Sequence, residues 1–235
     1  MTPVPVETDV GTLLLPAHDD VVRPWMAHYG CWEPEEAALI RERAPAGGHV
    51  VDLGAHVGYH SLVAAAAVGP AGTVTAVEAS RANVRLLRAN VRDVPQVRVV
   101  HAAAWDRSGR VSLSGEAGNS GDQRATRCRW PRGVRAVRVD DLVAGARVDL
   151  VKSDLQGRDH LALRGMTWTL SRWRPVVVTE FWPHGIRDVG DDPYDVLDEY
   201  RALGGTICSL DGVTGDFVAA ADAAESGFLT LVLSL

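Results

Sequence analysis

The sequence has few of the features that mark secreted, membrane-bound or nucleic-acid-binding proteins. Its 235 residues include only three cysteines, which are widely spaced and odd in number, so neither a disulfide framework nor a paired-cysteine metal site is indicated. The N-terminus lacks the basic start and apolar core of a signal peptide. No apolar run approaches the roughly 18 residues of a membrane-spanning helix, and a net charge of −6 argues against non-specific nucleic-acid binding. We therefore expect a cytoplasmic protein with neither a nucleic-acid nor a membrane partner.

Apolar, strand-like segments alternate with helical patterns along most of the chain. The strand-like segments of the first half are HVVDLG, TVTAVEAS and VRVVHAAAW, and RVDLVKSD, RPVVVTEFW, GTICSL and FLTLVLSL follow later. This order is typical of a parallel sheet with crossover helices. Residues 108–139 instead contain short alternating runs separated by Gly, Asn and Ser, which indicates a β-hairpin insertion.

The composition and the absence of linkers indicate one folded unit. A hydrophobic content of 46% and a charged content of 23% are ordinary for a globular protein, and no repeat or low-complexity segment divides the chain. We predict an α/β fold with one doubly wound sheet in a single domain over residues 1–235. Residues 1–45 form a lead-in that is largely extended and ends in a helix, and residues 46–235 form a Rossmann-like core.

A glycine loop follows the first strand of the core and reads DLGAHVGYH over residues 52–60. Such a loop places backbone N–H groups at a helix N-terminus, where they bind ligand oxygens. NAD and FAD require a second glycine two positions after Gly54, because the pyrophosphate approaches the backbone there. His56 occupies that position. The spacing therefore favours a phosphate-free nucleoside cofactor such as S-adenosylmethionine (SAM) over NAD, and a loop that merely turns the chain is the third interpretation.

Two further features of this region carry weaker information. Glu78 ends the second strand, where an acid can accept hydrogen bonds from both ribose hydroxyls, but NAD sites use the same device. His56 and His60 are four positions apart, a spacing that can bind a metal on one helical face. Because no third ligand is identifiable and His56 lies in the loop, we predict no metal site. We expect His56 to contact the cofactor and His60 to point either into the active-site mouth or along the helix.

Together, these segments resemble the FkbM family of SAM-dependent methyltransferases. The match runs from about Gly30 to Trp182 and includes the glycine loop, the strand that ends at Glu78, the segment KSDLQG and the strand VVVTEF. The resemblance implies a class I methyltransferase fold, in which a seven-stranded sheet has an antiparallel last strand and SAM lies over the strand ends. Members typically methylate hydroxyl groups of sugars or polyketide-type metabolites.

The resemblance also implies which residues bind SAM. They lie in the lead-in, in the glycine loop, at the ends of the second and third strands, and in the insertion: Gly30, Trp32, Glu33, Asp52, Gly54, Ala55, His56, Gly58, Tyr59, Glu78, Ala79, Ser80, Ala103, Ala104, Trp105 and Asn119. Two positions depart from the family pattern. His56 stands where Asn is common, and Gln156 stands where the family commonly has Glu, so a mechanism that needs a carboxylate at position 156 is in doubt.

The candidate catalytic residues lie near the ends of two later strands, since reacting groups gather at the carboxyl ends of strands in open α/β sheets. Asp154 is the first choice for a catalytic or acceptor-orienting carboxylate, and the alternative is an acid that serves the next helix. Lys152 could contact SAM or the acceptor, or pair with Asp154. Glu180 could orient the acceptor or SAM's ammonium group, or simply be solvated. His184 could act as a general base, although a loop histidine often has no such role.

The insertion is rich in arginine and could bind an anionic group of the acceptor. The arginines lie around Trp130 and are Arg124, Arg127, Arg129, Arg132, Arg135 and Arg138. A solvated rim of a hairpin is the equally favoured interpretation, because alternate charged side chains are common on edge strands.

These observations predict a SAM-dependent methyltransferase that acts on a hydroxyl group of a small, natural-product-like metabolite. The closest alternative is transfer to nitrogen on a small amine. A non-catalytic SAM-binding protein, suggested by Gln156, and an NAD-dependent oxidoreductase are the other hypotheses. The expected partner is a small-molecule acceptor, which can be anionic. A homo-oligomer is also possible, since the sequence does not determine the oligomeric state.

Overall fold

Strands and helices alternate along the chain in the computed structural model, which describes residues 2–115, 117–128 and 133–235. The strands are β1 (Val4–Thr8), β2 (Gly11–Leu15), β3 (His49–Leu53), β4 (Thr73–Glu78), β5 (Val97–His101), β6 (Ala103–Ala104), β7 (Gly109–Ser114), β8 (Arg124–Arg127), β9 (Val134–Val137), β10 (Leu150–Ser153), β11 (Val176–Phe181), β12 (Thr206–Ser209) and β13 (Leu229–Ser234). The helices are α1 (Val22–Tyr29), α2 (Pro34–Arg43), α3 (Tyr59–Val68), α4 (Arg81–Asn90), α5 (Val139–Val143), α6 (Asp159–Arg164), α7 (Thr167–Trp173), α8 (Pro183–Asp188), α9 (Pro193–Ala202) and α10 (Phe217–Ala223). None of the described helices is long and apolar enough to cross a membrane.

The central sheet has seven strands in the order β12-β13-β11-β10-β3-β4-β5. Strands β11, β10, β3, β4 and β5 pair in parallel, whereas β13 runs antiparallel to both of its neighbours. Alternate residues of one strand enter different apolar clusters, since Val51 packs in one and Val50 in the other. The core therefore lies on both faces of the sheet, as is typical of doubly wound folds. This arrangement confirms the predicted fold class, with its antiparallel strand.

The insertion is a separate four-stranded sheet, larger than the predicted hairpin, with the order β6-β9-β7-β8. The predicted third strand does not run through to Trp105, because β5 ends at His101. The amide of Ala102 still donates to the carbonyl of Glu78 in the central sheet. After that residue the chain turns away, and Ala103 pairs with Ala136 of β9.

The lead-in contains more regular structure than the predicted extended segment, because β1 and β2 form an antiparallel hairpin and α1 follows. Asp19 is completely buried, and its Oδ1 accepts hydrogen bonds from the amides of Val21 and Arg23 at the start of α1. A proline in the first turn of a helix is tolerated, so Pro24 does not prevent this helix. These two hydrogen bonds to Asp19 satisfy amide groups at the start of α1 and so stabilise a helix in this proline-containing segment.

Gly54 lies where the loop after β3 approaches the end of β10 most closely. Its φ is +82°, in the region that favours glycine, and a Cβ at this position would overlap the carbonyl oxygen of Asp154. The amide of Gly54 donates to the carbonyl of Val77 at 2.9 Å, which fixes the loop against β4 as well. The glycine loop is thus held between the two neighbouring strands.

Replacing Gly54 with Ala is expected to lower the free energy of unfolding by about 3 kcal/mol, because strain and a backbone clash act together. Gly30→Ala is the matched control, since Gly30 has φ +70° and no described atom lies within 4 Å of a Cβ built there. That control should lose only about 1 kcal/mol. Urea unfolding of both variants measures the difference, and equal losses would contradict the proposed role of the close approach.

Candidate active site

A cavity of about 430 Å³ opens at the carboxyl ends of the central strands. Ligands of open α/β sheets bind at this edge, and sites for small molecules commonly have about 300–1,000 Å³. Most of the residues predicted from the sequence line it: Trp32, Glu33, Asp52, Gly54, Ala55, His56, Tyr59, Glu78, Ala79, Ala103, Ala104, Trp105, Asn119, Lys152, Asp154 and Glu180. The structure therefore brings these side chains together, and their contact with a ligand stays a prediction.

Four predicted residues lie outside the lining of this cavity. Gly58 and Ser80 begin helices α3 and α4, where Ser80 Oγ accepts a hydrogen bond from the amide of Asn83. Gly30 ends α1 in a left-handed conformation. The His184 side chain is 69% exposed on α8, and its Nε2 lies 3.7 Å from Asp188. His184 is therefore poorly placed for the predicted role of general base.

Glu78 connects the glycine loop to the start of α4. Its Oε2 accepts a hydrogen bond from the amide of His56 at 2.8 Å, and its Oε1 accepts one from the amide of Ser80 at 2.6 Å. Burial raises the pKa of Glu78 to about 7, although these amides oppose the shift. Each oxygen can accept a further hydrogen bond, so the carboxylate remains able to bind a pair of ribose hydroxyls.

His56 links the glycine loop to two distant segments. Its Nε2 lies 2.7 Å from the hydroxyl of Ser120, and that hydroxyl donates to Oδ2 of Asp19. Because the one hydroxyl proton of Ser120 is given to Asp19, Nε2 of His56 must carry the ring proton and donate it. Burial lowers the pKa of His56 to about 4, so the imidazole is neutral at physiological pH. His56 faces the cavity and also joins the loop to the insertion and the lead-in.

His60 also lines the cavity, but it has a different neighbour from His56. Its side chain is buried and points toward the lead-in, with Nε2 3.8 Å from Oε2 of Glu33. Burial lowers the pKa of His60 well below its usual value, and the nearby ammonium of Lys152 acts in the same direction. The i, i+4 spacing of the two histidines thus brings them to different partners, because His56 lies in the loop before α3 begins.

Lys152, Asp154 and Gln156 form a small network at the end of β10. Lys152 Nζ donates to Oδ2 of Asp154 at 3.2 Å, and Gln156 Nε2 donates to Oδ1 at 2.8 Å. Burial alone would lower the pKa of Lys152, but Asp154 and other nearby carboxylates raise it well above its usual value. Lys152 is therefore an ammonium group and cannot act as a base. The amide of Gln156 supports Asp154 by a donation that an ionised glutamate could not make.

Two further carboxyl groups, those of Asp52 and Glu180, line the cavity. Asp52 accepts a hydrogen bond from Ser61 with Oδ2, while its buried Oδ1 has no hydrogen-bond partner among the described residues. Oε2 of Glu180 is likewise buried and unpartnered within the described chain. Burial raises the pKa of Glu180 well above its usual range, and the charge of Asp154 acts in the same direction. Such a wall suits a ligand with positive charge or hydroxyl groups.

Among the described arginines of the insertion, Arg124 is the one that lines the cavity. Arg124 lies 4.9 Å from the ring centre of Trp182 and donates to Oδ1 of Asp122 at 2.8 Å. Arg138 pairs with Asp140 at 3.1 Å, away from the cavity lining. Two others, Arg127 and Arg135, are exposed. Arg129, Trp130 and Arg132 lie outside the described residues.

Sequence reasoning missed several cavity residues. Val22 and Met26 come from α1, Arg158 follows β10, and Phe228 precedes β13. Arg158 is buried and donates to the carbonyls of Ala125 and Gly185, so it also fixes the insertion against α8. No motif marks these positions. For α1, the one available sequence signal was Asp19, an acid just before the helix that accepts hydrogen bonds from its first amides.

The comparison with protein families decides the identity of the domain. The model described as the methyltransferase FkbM domain matches residues 52–204. The chain belongs to the FkbM methyltransferase family. The enzyme class predicted from the sequence, a SAM-dependent methyltransferase, is thereby confirmed.

Solved structures resemble the FkbM domain in fold. A methyltransferase FkbM from Methylobacillus flagellatus KT is 17% identical, with a TM-score of 0.52 over 80% of this chain and 43% of that chain. A fibrillarin from Aeropyrum pernix, solved with natively bound S-adenosyl-L-methionine, is 15% identical, with a TM-score of 0.51 over 85% of this chain and 73% of the other. This chain thus spans less than half of the Methylobacillus protein. No curated protein matches the sequence significantly.

The side chains of the FkbM domain cavity fit SAM. Glu78 offers two carboxylate oxygens to ribose hydroxyls, and the unpartnered Oδ1 of Asp52 offers a negative charge to a cationic group. SAM carries a sulfonium and an ammonium group, which an acidic wall stabilises. His56 lines the cavity at the loop position where a dinucleotide site needs glycine, which disfavours NAD.

Binding of S-adenosylhomocysteine is expected to weaken as the pH falls below about 7. The sign follows from the pKa of Glu78, which is raised to about 7 in the free protein, whereas the ligand hydroxyls favour its carboxylate form. Each pH unit below that value costs up to about tenfold in affinity. Calorimetric titrations at several pH values measure this dependence. Glu78→Gln should bind more weakly at high pH and lose most of the pH dependence, and an unchanged dependence in this variant would contradict the assignment.

Proposed function

We propose that this FkbM domain transfers the methyl group of SAM to a hydroxyl group of a small metabolite, such as a sugar or a polyketide-type natural product. The observation that carries the proposal is Asp154, whose carboxylate lies on the cavity wall and is held by Lys152 and Gln156. A carboxylate positioned by two donors can orient an acceptor hydroxyl and receive its proton.

Asp154, Lys152 and Glu180 have different roles in the proposed methyl transfer. When bound, SAM supplies an electrophilic methyl group on its sulfonium. Asp154 would accept a hydrogen bond from the acceptor hydroxyl and receive its proton, while the methyl carbon would exchange its bond to the cofactor sulfur for one to the acceptor oxygen and S-adenosylhomocysteine would leave. Lys152 holds the carboxylate in place as an ammonium group, since its pKa is raised well above the usual value. The raised pKa of Glu180 favours its protonated form, which can donate a hydrogen bond to a second oxygen of the acceptor.

Aromatic side chains at the mouth of the cavity support an acceptor with an apolar ring or a sugar face. Trp32 lines the cavity and packs edge-on against Trp25, with ring centres 6.2 Å apart. Trp25 in turn contacts Tyr29 at 4.4 Å, and these two residues are 44% and 58% exposed. Exposed aromatic patches of this kind commonly mark binding surfaces.

Transfer to an amine is the second candidate, and the carboxylates of the wall favour it. Asp154 and the unpartnered oxygens of Asp52 and Glu180 could bind an amine-bearing acceptor. This reaction requires the neutral amine and less help from a base. Arg124, at the same wall, would suit an acceptor with an anionic group.

We further propose that the enzyme is cytoplasmic, which the three widely spaced cysteines support.

Mass spectrometry of reactions with hydroxylated sugars, hydroxylated polyketides and their amine analogues tests the proposal. The expected product carries one added methyl group on oxygen, identified by fragmentation. Methylation of the amine analogues alone would favour the second candidate. Binding of SAM without turnover on any acceptor would contradict both.

Asp154→Asn is expected to lower kcat by about 10²–10⁴-fold, because the acceptor loses the group that receives its proton. The dissociation constant for S-adenosylhomocysteine should change little. The control is His184→Gln, whose side chain is exposed outside the cavity lining and whose loss should leave kcat nearly unchanged. Steady-state kinetics on the identified acceptor measures both effects. If both changes were small and equal, alignment of the reactants alone would account for the acceleration.

A further inference from the structure

Three side chains of types that can bind a metal ion lie close together at the cavity, where the lead-in packs on α3. Glu33 precedes α2, Glu36 lies in its first turn, and His60 lies in the first turn of α3. One ligand atom of each residue lies within 4.8 Å of those of the other two. Donor atoms that share an ion at about 2.0–2.2 Å are at most about 4.4 Å apart. A small inward movement of the side chains would therefore complete a common coordination shell.

His60 provides independent evidence for a missing ligand. The residue is only 7% exposed, and its Nε2 is buried without a hydrogen-bond partner among the described residues. The nearest acid oxygen, Oε2 of Glu33, is 3.8 Å away and is itself buried and unpartnered within the described chain. Buried polar atoms normally have partners. Two such atoms that face each other at this distance are well explained by an ion between them.

The backbone and the neighbouring residues hold the two glutamates in place. Glu33 has φ 44° and ψ 66°, a left-handed conformation that costs a non-glycine residue about 1–2 kcal/mol. Oε1 of Glu36 accepts a hydrogen bond from the hydroxyl of Thr230 at 2.8 Å, and the Glu36 carboxyl group also lies within hydrogen-bonding reach of Glu33. Hydrogen bonds of this type orient the ligands of metal sites.

The charges of the three residues match a divalent ion. Burial raises the pKa of both Glu33 and Glu36 in the absence of an ion. A bound divalent ion would favour their ionised forms, which supply two negative charges, and a neutral imidazole would add a nitrogen ligand without charge. The ammonium of Lys152 offsets part of the negative charge of both glutamates, but within 4.0 Å its Nζ pairs with Asp154 rather than with either of them in the described chain.

We propose that Glu33, Glu36 and His60 bind one divalent transition-metal ion, with Mn²⁺ and Zn²⁺ as the best-suited ions. A mixed set of carboxylates and imidazole favours these ions over Mg²⁺ or Ca²⁺, which prefer oxygen ligands alone. Glu33 and His60 both line the cavity, so the coordination positions that the protein leaves open face it. The ion would pin the lead-in helix α2 to α3 at the wall of the active site. The proposal is independent of the acceptor and of methyl transfer.

The test is metal binding by the full chain, prepared without a histidine tag and freed of metal with a chelator. Calorimetric titration with MnCl₂ and with ZnCl₂ should show one site per chain. Glu33→Gln and His60→Gln should each weaken binding by more than about tenfold, since each removes a ligand. His184→Gln is the matched control, because it removes an exposed imidazole outside the cluster and should bind like the wild type. Co²⁺ should give visible absorption bands that His60→Gln loses.

Several results would overturn the proposal. One is the absence of Mn²⁺ and Zn²⁺ binding at millimolar concentration. Another is equal binding of these ions by the wild type, Glu33→Gln and His60→Gln. Weakened S-adenosylhomocysteine affinity in Glu33→Gln without any metal binding by the wild type would assign the cluster to the cofactor instead. Should a variant not fold, thermal unfolding of the wild type decides, since a bound ion must raise Tm. No rise in Tm with either ion would then exclude the site.

Discussion

The ion pair between Lys152 and Asp154 is the interaction on which the acidic wall of the cavity depends. Lys152 is almost fully buried, and carboxylates from two other parts of the chain, Glu33 and Glu36 at the start of α2 and Asp52 in β3, raise its pKa together with Asp154. Removing one partner of a buried ion pair commonly costs about 3–5 kcal/mol, because the other charge is left uncompensated. The ammonium thus keeps several acids close together at the end of β10, and that concentration of negative charge suits a cationic cofactor.

The sequence was sufficient to predict the central sheet and most of the cavity wall. Periodicity located its strands, and parallel pairing brings their carboxyl ends to one edge. Asp52, Glu78, Asp154 and Glu180 therefore meet there, although more than a hundred residues separate the first from the last. The cofactor followed from one steric argument at position 56 and from the family resemblance.

Features that depend on tertiary contacts could not be predicted in the same way. Local sequence does not connect Glu36 to His60 or Thr230, and only the fold places these residues close together. The departure of Ala103 from the central sheet depends on its pairing with β9, which local pattern does not encode. Helix α1 depends on a side-chain cap at Asp19 in a segment that contains proline.

The hydrogen-bonded chain from His56 through Ser120 to Asp19 has a consequence for how the protein varies. These positions lie in the cofactor loop, the insertion and the lead-in. Ser120 nevertheless hydrogen-bonds to both His56 and Asp19, largely shielded from solvent. A change at one of them leaves a donor or acceptor without its counterpart, which commonly costs about 1–3 kcal/mol. The three positions therefore form one hydrogen-bonded unit. Among related chains, a replacement of His56 should be accompanied by changes at positions 19 and 120, so exchanging the lead-in between homologues would require all three to be moved together.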